Sequence, residues 1–147
     1  MTTPHRTNLV LMADDDDDDR LLVKDAMIEC KAEVDIRFVA NGEELMDYLL
    51  RRNQYGDPAK APRPKLILLD LNMPKKDGRE AVEEIKKNNE LRQIPIVILT
   101  TSSAETDVRR TYDLGVNSFV CKPASFDALV DKMRTVCAYW LEVVQLP

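Results

Sequence analysis

Short apolar runs alternate regularly with amphipathic stretches of helical period, and this alternation constrains the fold most. Five runs are predicted to be strands: Leu9 to Ala13, Asp35 to Val39, Lys65 to Leu69, Ile94 to Leu99 and Asn117 to Cys121. Five segments are predicted to be helices: Asp18 to Lys31, Gly42 to Asn53, Gly78 to Asn88, Ala104 to Leu114 and Phe126 to Val144. The third and fourth strands lack a polar face, which is typical of strands covered by helices on both sides. The pattern predicts an α/β fold with a doubly wound parallel sheet of five strands and five helices.

The chain is long enough for one domain with a full core and leaves little room for a second. It has 147 residues, of which 44% are hydrophobic, and we expect a single domain over 1–147. Residues 1–8 are expected to form a flexible N-terminal tail, and 126–147 an extended C-terminal helix and tail. The connection from Tyr55 to Pro64 contains prolines and a glycine, so it is predicted to be an ordered surface loop.

Charge and hydropathy exclude two classes of partner. The net charge is -5, and the basic residues are scattered along the chain, which argues against binding to nucleic acid. No apolar run approaches the ~20 residues of a membrane span, and the N-terminus lacks the apolar segment of a signal peptide. We therefore expect a cytoplasmic protein that binds neither nucleic acid nor membrane.

Polar residues follow four of the five predicted strands directly. They are Asp14 with Asp15, Asp70, Thr100 and Lys122. Each alone has an ordinary explanation as a helix cap, a solvated residue or a surface turn. Because ligands of doubly wound sheets bind beyond the carboxyl ends of the strands, however, these side chains should meet in one crevice. The sequence therefore predicts a pocket that combines carboxylates, a hydroxyl and an ammonium group.

Six consecutive aspartates, Asp14 to Asp19, follow the first strand. Mutual repulsion should expose some of them, and we expect Asp18 or Asp19 to cap the first helix. A calcium loop opening at Asp14 would need glycine where Asp19 stands and glutamate where Asp25 stands, so that interpretation fails. Magnesium prefers a few carboxylates together with water and a phosphate, which a pair of aspartates facing Asp70 can supply.

The segment Asp70-Leu71-Asn72-Met73-Pro74-Lys75-Lys76-Asp77-Gly78 carries a resemblance to a known family. Together with Asp14-Asp15, Thr100 and Lys122-Pro123 in the same order, it resembles the receiver domain of two-component response regulators over nearly the whole chain. Finer details resemble single-domain regulators paired with bacterial phytochrome histidine kinases. Those details are Ala61 to Pro64, Leu99 to Ser102, Tyr139 to Leu141 and the terminal Leu146-Pro147. The resemblance implies a flavodoxin-like fold with strand order 2-1-3-4-5.

The resemblance also implies a chemical role for the acidic residues. Asp70 would accept a phosphoryl group from a sensor histidine kinase, which the finer pattern suggests is a bacteriophytochrome. Asp15 would ligate Mg2+ with help from Asp14, Asp70 and the main-chain carbonyl of Asn72. A slip of one residue in the acidic run would instead make Asp16 the ligand.

The remaining site residues follow from the same resemblance. Thr100 would be the switch hydroxyl, and Lys122 would be the ammonium group beside the phosphate. Phe119 stands where the family has its switch aromatic, and it lacks the hydroxyl of a tyrosine. The bond between Lys122 and Pro123 is predicted to be cis.

Two alternatives use similar residues. Phosphatases of the haloacid dehalogenase class also attack phosphate with an aspartate, but their nucleophile precedes the other aspartates and is followed two residues later by an acid. Here the aspartate pair comes first and Asn72 occupies that second position, so a non-enzymatic phosphoacceptor is favoured. A receiver-like module that only binds partners is disfavoured because the set of polar residues is intact.

The last predicted helix carries two adjacent apolar stripes. One consists of Leu129, Met133, Val136 and Trp140, and the other of Val130, Cys137, Leu141 and Val144. A helix on the outside of a monomer normally keeps its second face polar. We therefore expect a homodimer through the fourth helix, the fifth strand and the fifth helix, with an interface at Val130, Cys137, Trp140, Leu141 and Val144. The alternative is a wide stripe on a well-buried helix.

Overall fold

The computed structural model describes residues 8–101 and 104–147. Its strands are β1 (Leu9–Ala13), β2 (Asp35–Val39), β3 (Leu66–Leu69), β4 (Ile96–Thr100) and β5 (Ser118–Cys121). Its helices are α1 (Asp17–Glu29), α2 (Gly42–Leu50), α3 (Gly78–Lys87), α4 (Glu105–Leu114) and α5 (Phe126–Cys137). The strands form one parallel sheet in the order β2-β1-β3-β4-β5, which confirms the predicted fold.

Two hydrophobic cores lie on the two faces of the sheet, and the pleat assigns alternate residues of each strand to them. In β3, for example, Ile67 and Leu69 belong to the core beneath α2 and α3, whereas Leu66 and Leu68 belong to the core beneath α1 and α5. All residues of β1, β3 and β4 are buried. Burying one such aliphatic side chain stabilises the fold by about 1.5–3 kcal/mol, which explains why these strands lack a polar face.

The reversal of strand order occurs between β1 and β3, and it positions two of the aspartates. Ala13 pairs with Leu69 at the carboxyl ends of these neighbouring strands. The Asp70 amide then donates to the Ala13 carbonyl at 3.0 Å. Asp14 and Asp70 therefore leave adjacent strands at the same level, although they are far apart in sequence.

The start of α1 differs from the prediction. Asp16 is the N-cap, and its carboxylate accepts from the amides of Asp18 and Asp19 at 2.9 and 3.2 Å. The expectation that Asp18 or Asp19 caps the helix was therefore wrong. The first turn begins directly after the cap, so both residues lie inside the helix, where the positive end of its dipole favours their charge.

The connection between α2 and β3 is ordered by side chains that hold its backbone. Residues Asn53–Tyr55 form a short 3-10 turn after α2. The Tyr48 hydroxyl donates to the Pro62 carbonyl at 2.8 Å, and the Arg63 guanidinium donates to the Leu49 carbonyl. Buried Ala61 packs into the core below, as expected of an ordered loop.

The C-terminal helix is more deeply packed and less regular than predicted. It continues beyond Cys137 as a π-helical segment, Ala138–Val143. Val130 and Cys137 are both buried within the chain, and the Cys137 Sγ lies 3.3 Å from the Met27 Sδ of α1. Burial raises the pKa of the Cys137 thiol to about 12. The wide apolar stripe of α5 is therefore covered in part by α1, which removes one reason for a partner at Val130 and Cys137.

In the described part of the chain, none of the helices is both long and apolar enough to cross a membrane.

Candidate functional site

The structure brings the polar residues from four strand ends into one pocket at the carboxyl edge of the sheet. Asp14, Asp70 and Thr100 are buried there, and Lys122 enters from the end of β5. The Lys122 amide donates to the Thr100 carbonyl at 2.7 Å, which fixes the backbone of the lysine relative to β4. The order of the strands therefore brings the predicted site residues together in one pocket.

The Lys122 ammonium group lies among three carboxylates. Its Nζ donates to Asp14 at 2.7 Å, to Asp19 at 2.8 Å and to Asp70 at 3.3 Å. Burial by itself lowers the pKa of this lysine, but its bonds to Asp14 and Asp19 and the charge of Asp70 outweigh burial and raise it. Lys122 is therefore charged at neutral pH and offsets part of the negative charge in the pocket.

Asp14 is held by this lysine and by the backbone. Burial raises the pKa of the Asp14 carboxyl, and the bonds from Lys122 and from the Asp16 amide oppose that shift without cancelling it. The Asp16 amide donates to Asp14 Oδ1 at 2.9 Å, and the Arg20 guanidinium donates to the Asp14 carbonyl at 2.6 Å. The position of Asp14 is therefore fixed from several directions.

Both carboxylate oxygens of Asp70 have hydrogen-bond partners. Oδ1 accepts from the Thr100 hydroxyl at 2.7 Å and from the Asn72 amide at 3.3 Å, whereas Oδ2 accepts from Lys122 at 3.3 Å. Asp70 is thus oriented at the base of the pocket by the hydroxyl and the ammonium that the sequence places after β4 and β5.

Three carboxylates of the pocket fit a divalent cation. Asp14, Asp15 and Asp70 each offer an oxygen, and these oxygens lie within 4.8 Å of one another. A small set of hard oxygen donors at the mouth of a polar pocket suits Mg2+, which keeps several of its waters. Asp16 uses its carboxylate to cap α1, so the arrangement favours Asp14 and Asp15 over the alternative register. The Asn72 carbonyl stays a prediction.

The bond between Lys122 and Pro123 is trans, as are the other peptide bonds of the described residues. Our prediction of a cis bond was therefore wrong. For an X-Pro bond the trans form is favoured by about 0.5–1 kcal/mol, and a cis bond persists only where the surrounding structure requires it. Here the Lys122 side chain reaches its carboxylates with the bond trans, so nothing in the pocket requires the cis form.

Phe119, the residue of β5 predicted to act as the switch aromatic, is only partly buried. Phe119 packs against the core beneath α2 and α3, and its amide donates to the Tyr112 hydroxyl of α4 at 3.1 Å. A tyrosine hydroxyl thus does lie beside β5, although it comes from a residue that the sequence did not single out. It ties α4 to the strand that carries Phe119.

The contact between Asp19 and Lys122 was also missed by sequence reasoning. Asp19 lies in the first turn of α1, three residues after the Asp16 cap, and it faces the pocket across from Lys122. The sequence alone could not predict this contact, because the position of the N-cap decides which aspartates of the first turn face the pocket.

Comparison with known proteins places these features in a family. Residues 10–134 match the model of the response regulator receiver domain. Response regulator Rcp1 of Synechocystis sp. is 38% identical over 139 residues, which cover 95% of this chain and 92% of Rcp1.

Two solved structures are similar over almost their whole length. The phosphorylated cyanobacterial phytochrome response regulator RcpA is 38% identical with a TM-score of 0.88, covering 96% of this chain and 99% of that one. The Mn2+-bound form of response regulator Rcp1 is 38% identical with a TM-score of 0.85, covering 95% and 99% of the two chains.

Proposed function

The chain belongs to the response regulator receiver domain family, and from this premise we propose that it acts as a stand-alone regulator that accepts a phosphoryl group on Asp70. One observation carries the assignment: the buried carboxylate of Asp70 lies between the Thr100 hydroxyl and the Lys122 ammonium and beside two further aspartates. That arrangement provides a nucleophile together with groups that stabilise a transferred phosphoryl group.

The phosphoryl donor is a histidine kinase. Its phosphohistidine has a weak P–N bond, which breaks as an Asp70 oxygen forms the new O–P bond, and the electron pair stays on the imidazole nitrogen. Similarity to phytochrome response regulators supports a phytochrome-type kinase as the partner. Because such kinases use ATP, we place the protein in the cytoplasm, and its scattered basic residues support the absence of nucleic-acid binding.

The charges in the pocket determine how it can promote phosphoryl transfer to Asp70. A carboxylate and a phosphoryl group repel each other, so attack requires positive charge or hydrogen-bond donors near the equatorial oxygens. Lys122 supplies an ammonium group, and Thr100 supplies a hydroxyl that already points at Asp70. When bound, Mg2+ would be held by Asp14, Asp15 and Asp70 and would neutralise part of the charge on the phosphoryl group.

The same residues can convert phosphorylation into a change of shape. A phosphoryl group on Asp70 introduces new acceptor oxygens, and Thr100 can leave Asp70 Oδ1 to donate to one of them. Thr100 is the last residue of β4 and pairs with Cys121 on β5, so its movement would repack β5 and α4. Phe119 can then turn inward for burial alone, because it has no hydroxyl.

Phosphotransfer tests the proposal directly. The purified protein would be incubated with autophosphorylated bacteriophytochrome kinases, and the transfer of label would be followed by gel electrophoresis. Transfer that is sensitive to hydroxylamine, which cleaves acyl phosphates, supports the proposal. A phosphatase of the aspartate-nucleophile class would instead turn over small phosphate esters, and Asn72 offers no carboxyl to act as its general acid.

Magnesium binding gives a prediction about the acidic run. Asp15→Asn should weaken Mg2+ binding at least tenfold, because Asp15 belongs to the group of carboxylates that can share one ion. Asp18→Asn removes the same charge from an exposed residue three positions later and should weaken binding less than twofold. Calorimetric titration with MgCl2 would measure both, and equal losses in the two variants would contradict the assignment of Asp15.

We also propose a homodimer through α4, β5 and the C-terminal segment. Val130 and Cys137 are buried within one chain, but Tyr139 and Val143 are 49% and 71% exposed beside half-buried Trp140, Leu141 and Val144. A two-fold axis would bring this apolar surface against itself. Light scattering over a concentration series should show a dimer that Leu141→Glu with Val144→Glu dissociates, and a wild-type monomer at high micromolar concentration would exclude it.

A further inference from the structure

Among the residues that the structure describes, Asp19 is the one carboxylate bound to Lys122 that lies outside the group able to hold a metal. An ammonium group has three N–H donors, and in this structure all three are directed at carboxylates, those of Asp14, Asp19 and Asp70. The carboxylates able to share an ion are Asp14, Asp15 and Asp70. Asp19 therefore belongs to the pocket as a partner of Lys122 and not as a member of that group.

We propose that Asp19 occupies one donor of Lys122 in the resting pocket and must release it when a phosphoryl group arrives. The inference rests on the proposed function and concerns the regulation of the same site. Asp19 competes with the phosphoryl oxygens for the lysine, and in this way it lowers the affinity of the pocket for a phosphoryl group.

The exposed fractions of the three carboxylates indicate which of them releases Lys122 when a phosphoryl group arrives. The Asp14 side chain is 0% exposed, so water cannot replace the hydrogen bond that Lys122 donates to it, and losing that bond would be unfavourable. Asp70 carries the phosphoryl group, so the oxygens of Asp70 and of that group stay next to Lys122. The Asp19 side chain is 33% exposed and can exchange the lysine for water at small cost.

The orientation of Lys122 does not depend on Asp19. The lysine keeps its contacts of 2.7 Å to Asp14 and 3.3 Å to Asp70, and its amide is bound to the Thr100 carbonyl. Asp19→Asn leaves only an uncharged acceptor opposite Lys122, so this donor is released more easily while the side chain stays in place. It also removes a negative charge that would repel an incoming anion across the same ammonium group.

Asp19→Asn is the variant that tests this, with beryllium fluoride as a phosphoryl-like probe. The dissociation constant would be measured by calorimetry at saturating Mg2+, so that changes in metal affinity do not contribute. Asp19→Asn is expected to bind the probe at least fivefold more tightly than wild type. Asp18→Asn, which removes the same charge from the same turn at a side chain that does not face Lys122, should stay within twofold of wild type.

Asp19→Glu separates this role from a structural one. Glutamate restores the carboxylate at a position that is partly open to solvent. The affinity of this variant for beryllium fluoride should therefore return to within twofold of wild type. If Asp19→Asn does not fold, as judged by thermal denaturation, Asp19→Ser removes the same charge and carries the same expectation.

Several results would overturn the inference. It fails if Asp19→Asn binds the probe as weakly as wild type or more weakly, or if Asp18→Asn gains as much affinity. These results leave the proposed function intact as long as wild type binds the probe and Asp70→Asn does not. If wild type itself shows no binding that depends on Asp70, both the proposed function and the role of Asp19 fail.

Discussion

Asp70→Asn is expected to abolish phosphoryl acceptance, with a loss on the order of 1,000-fold or more. The substitution replaces the carboxylate nucleophile by an amide, which does not attack phosphorus, and no other carboxylate of the pocket has the same set of donors around it. The measurement is the mass of the intact protein after incubation with acetyl phosphate and MgCl2. Wild type should gain one phosphoryl group, and the variant none.

The control for this experiment is Asp113→Asn. Asp113 is exposed on α4, so its substitution removes the same charge and should leave labelling unchanged. Labelling of Asp70→Asn at the rate of wild type would refute the assignment of the phosphoacceptor. Loss of labelling in both variants would point to an effect of net charge and not of the nucleophile.

The fold should tolerate the Asp70→Asn substitution. The side-chain carbonyl oxygen of the introduced asparagine can accept from the Thr100 hydroxyl and the Asn72 amide, as Asp70 Oδ1 does now. Lys122 loses one of its three carboxylates but keeps Asp14 and Asp19, and like-charge repulsion in the pocket falls. The stability change should therefore be within about 1 kcal/mol, which urea denaturation can measure.

The elements and the location of the site could be predicted because both depend on local pattern and topology. Runs such as Leu66 to Leu69 have no polar face, so they must be covered on both sides, and the structure buries every residue of them. A parallel sheet then brings the ends of its strands to one edge, which places Asp14, Asp70 and Thr100 together. No detailed side-chain geometry was needed for that step.

The finer roles within the acidic run could not be predicted, because they depend on where α1 begins. Once Asp16 accepts from the amides of the first turn, the direction of every later aspartate is fixed, and Asp19 faces Lys122. Six identical residues give no sequence signal that selects the cap. The burial of Cys137 against Met27 likewise depends on how α5 packs on α1, which the stripe pattern alone does not determine.

A second large effect is expected at the start of α3, where the helix meets the backbone of Asp70. The Gly78 amide donates to the Leu71 carbonyl at 3.0 Å. A Cβ at Gly78 would lie 2.4 Å from the main-chain oxygen of Asp70 and 2.8 Å from the Leu71 Cα. Both neighbours are backbone atoms next to β3, so neither can turn aside as the end of a side chain could.

Gly78→Ala should therefore lower the free energy of unfolding by about 3 kcal/mol, at the upper end of the cost of overpacking, as measured by urea denaturation. Relief of this clash would displace the Asp70 backbone and move its carboxylate away from Thr100, so phosphoryl acceptance should fall together with stability.

Gly56→Ala is the matched control for this substitution. Its Cβ would meet only the Asn53 carbonyl at 3.5 Å, and its backbone is in the right-handed helical region with φ -64° and ψ -26°. Alanine fits that conformation. It should stabilise the protein by about 0.4–1 kcal/mol, because it reduces the conformational entropy of the unfolded chain. If Gly78→Ala were as stable as Gly56→Ala and accepted phosphate normally, α3 would not be packed tightly against the Asp70 backbone.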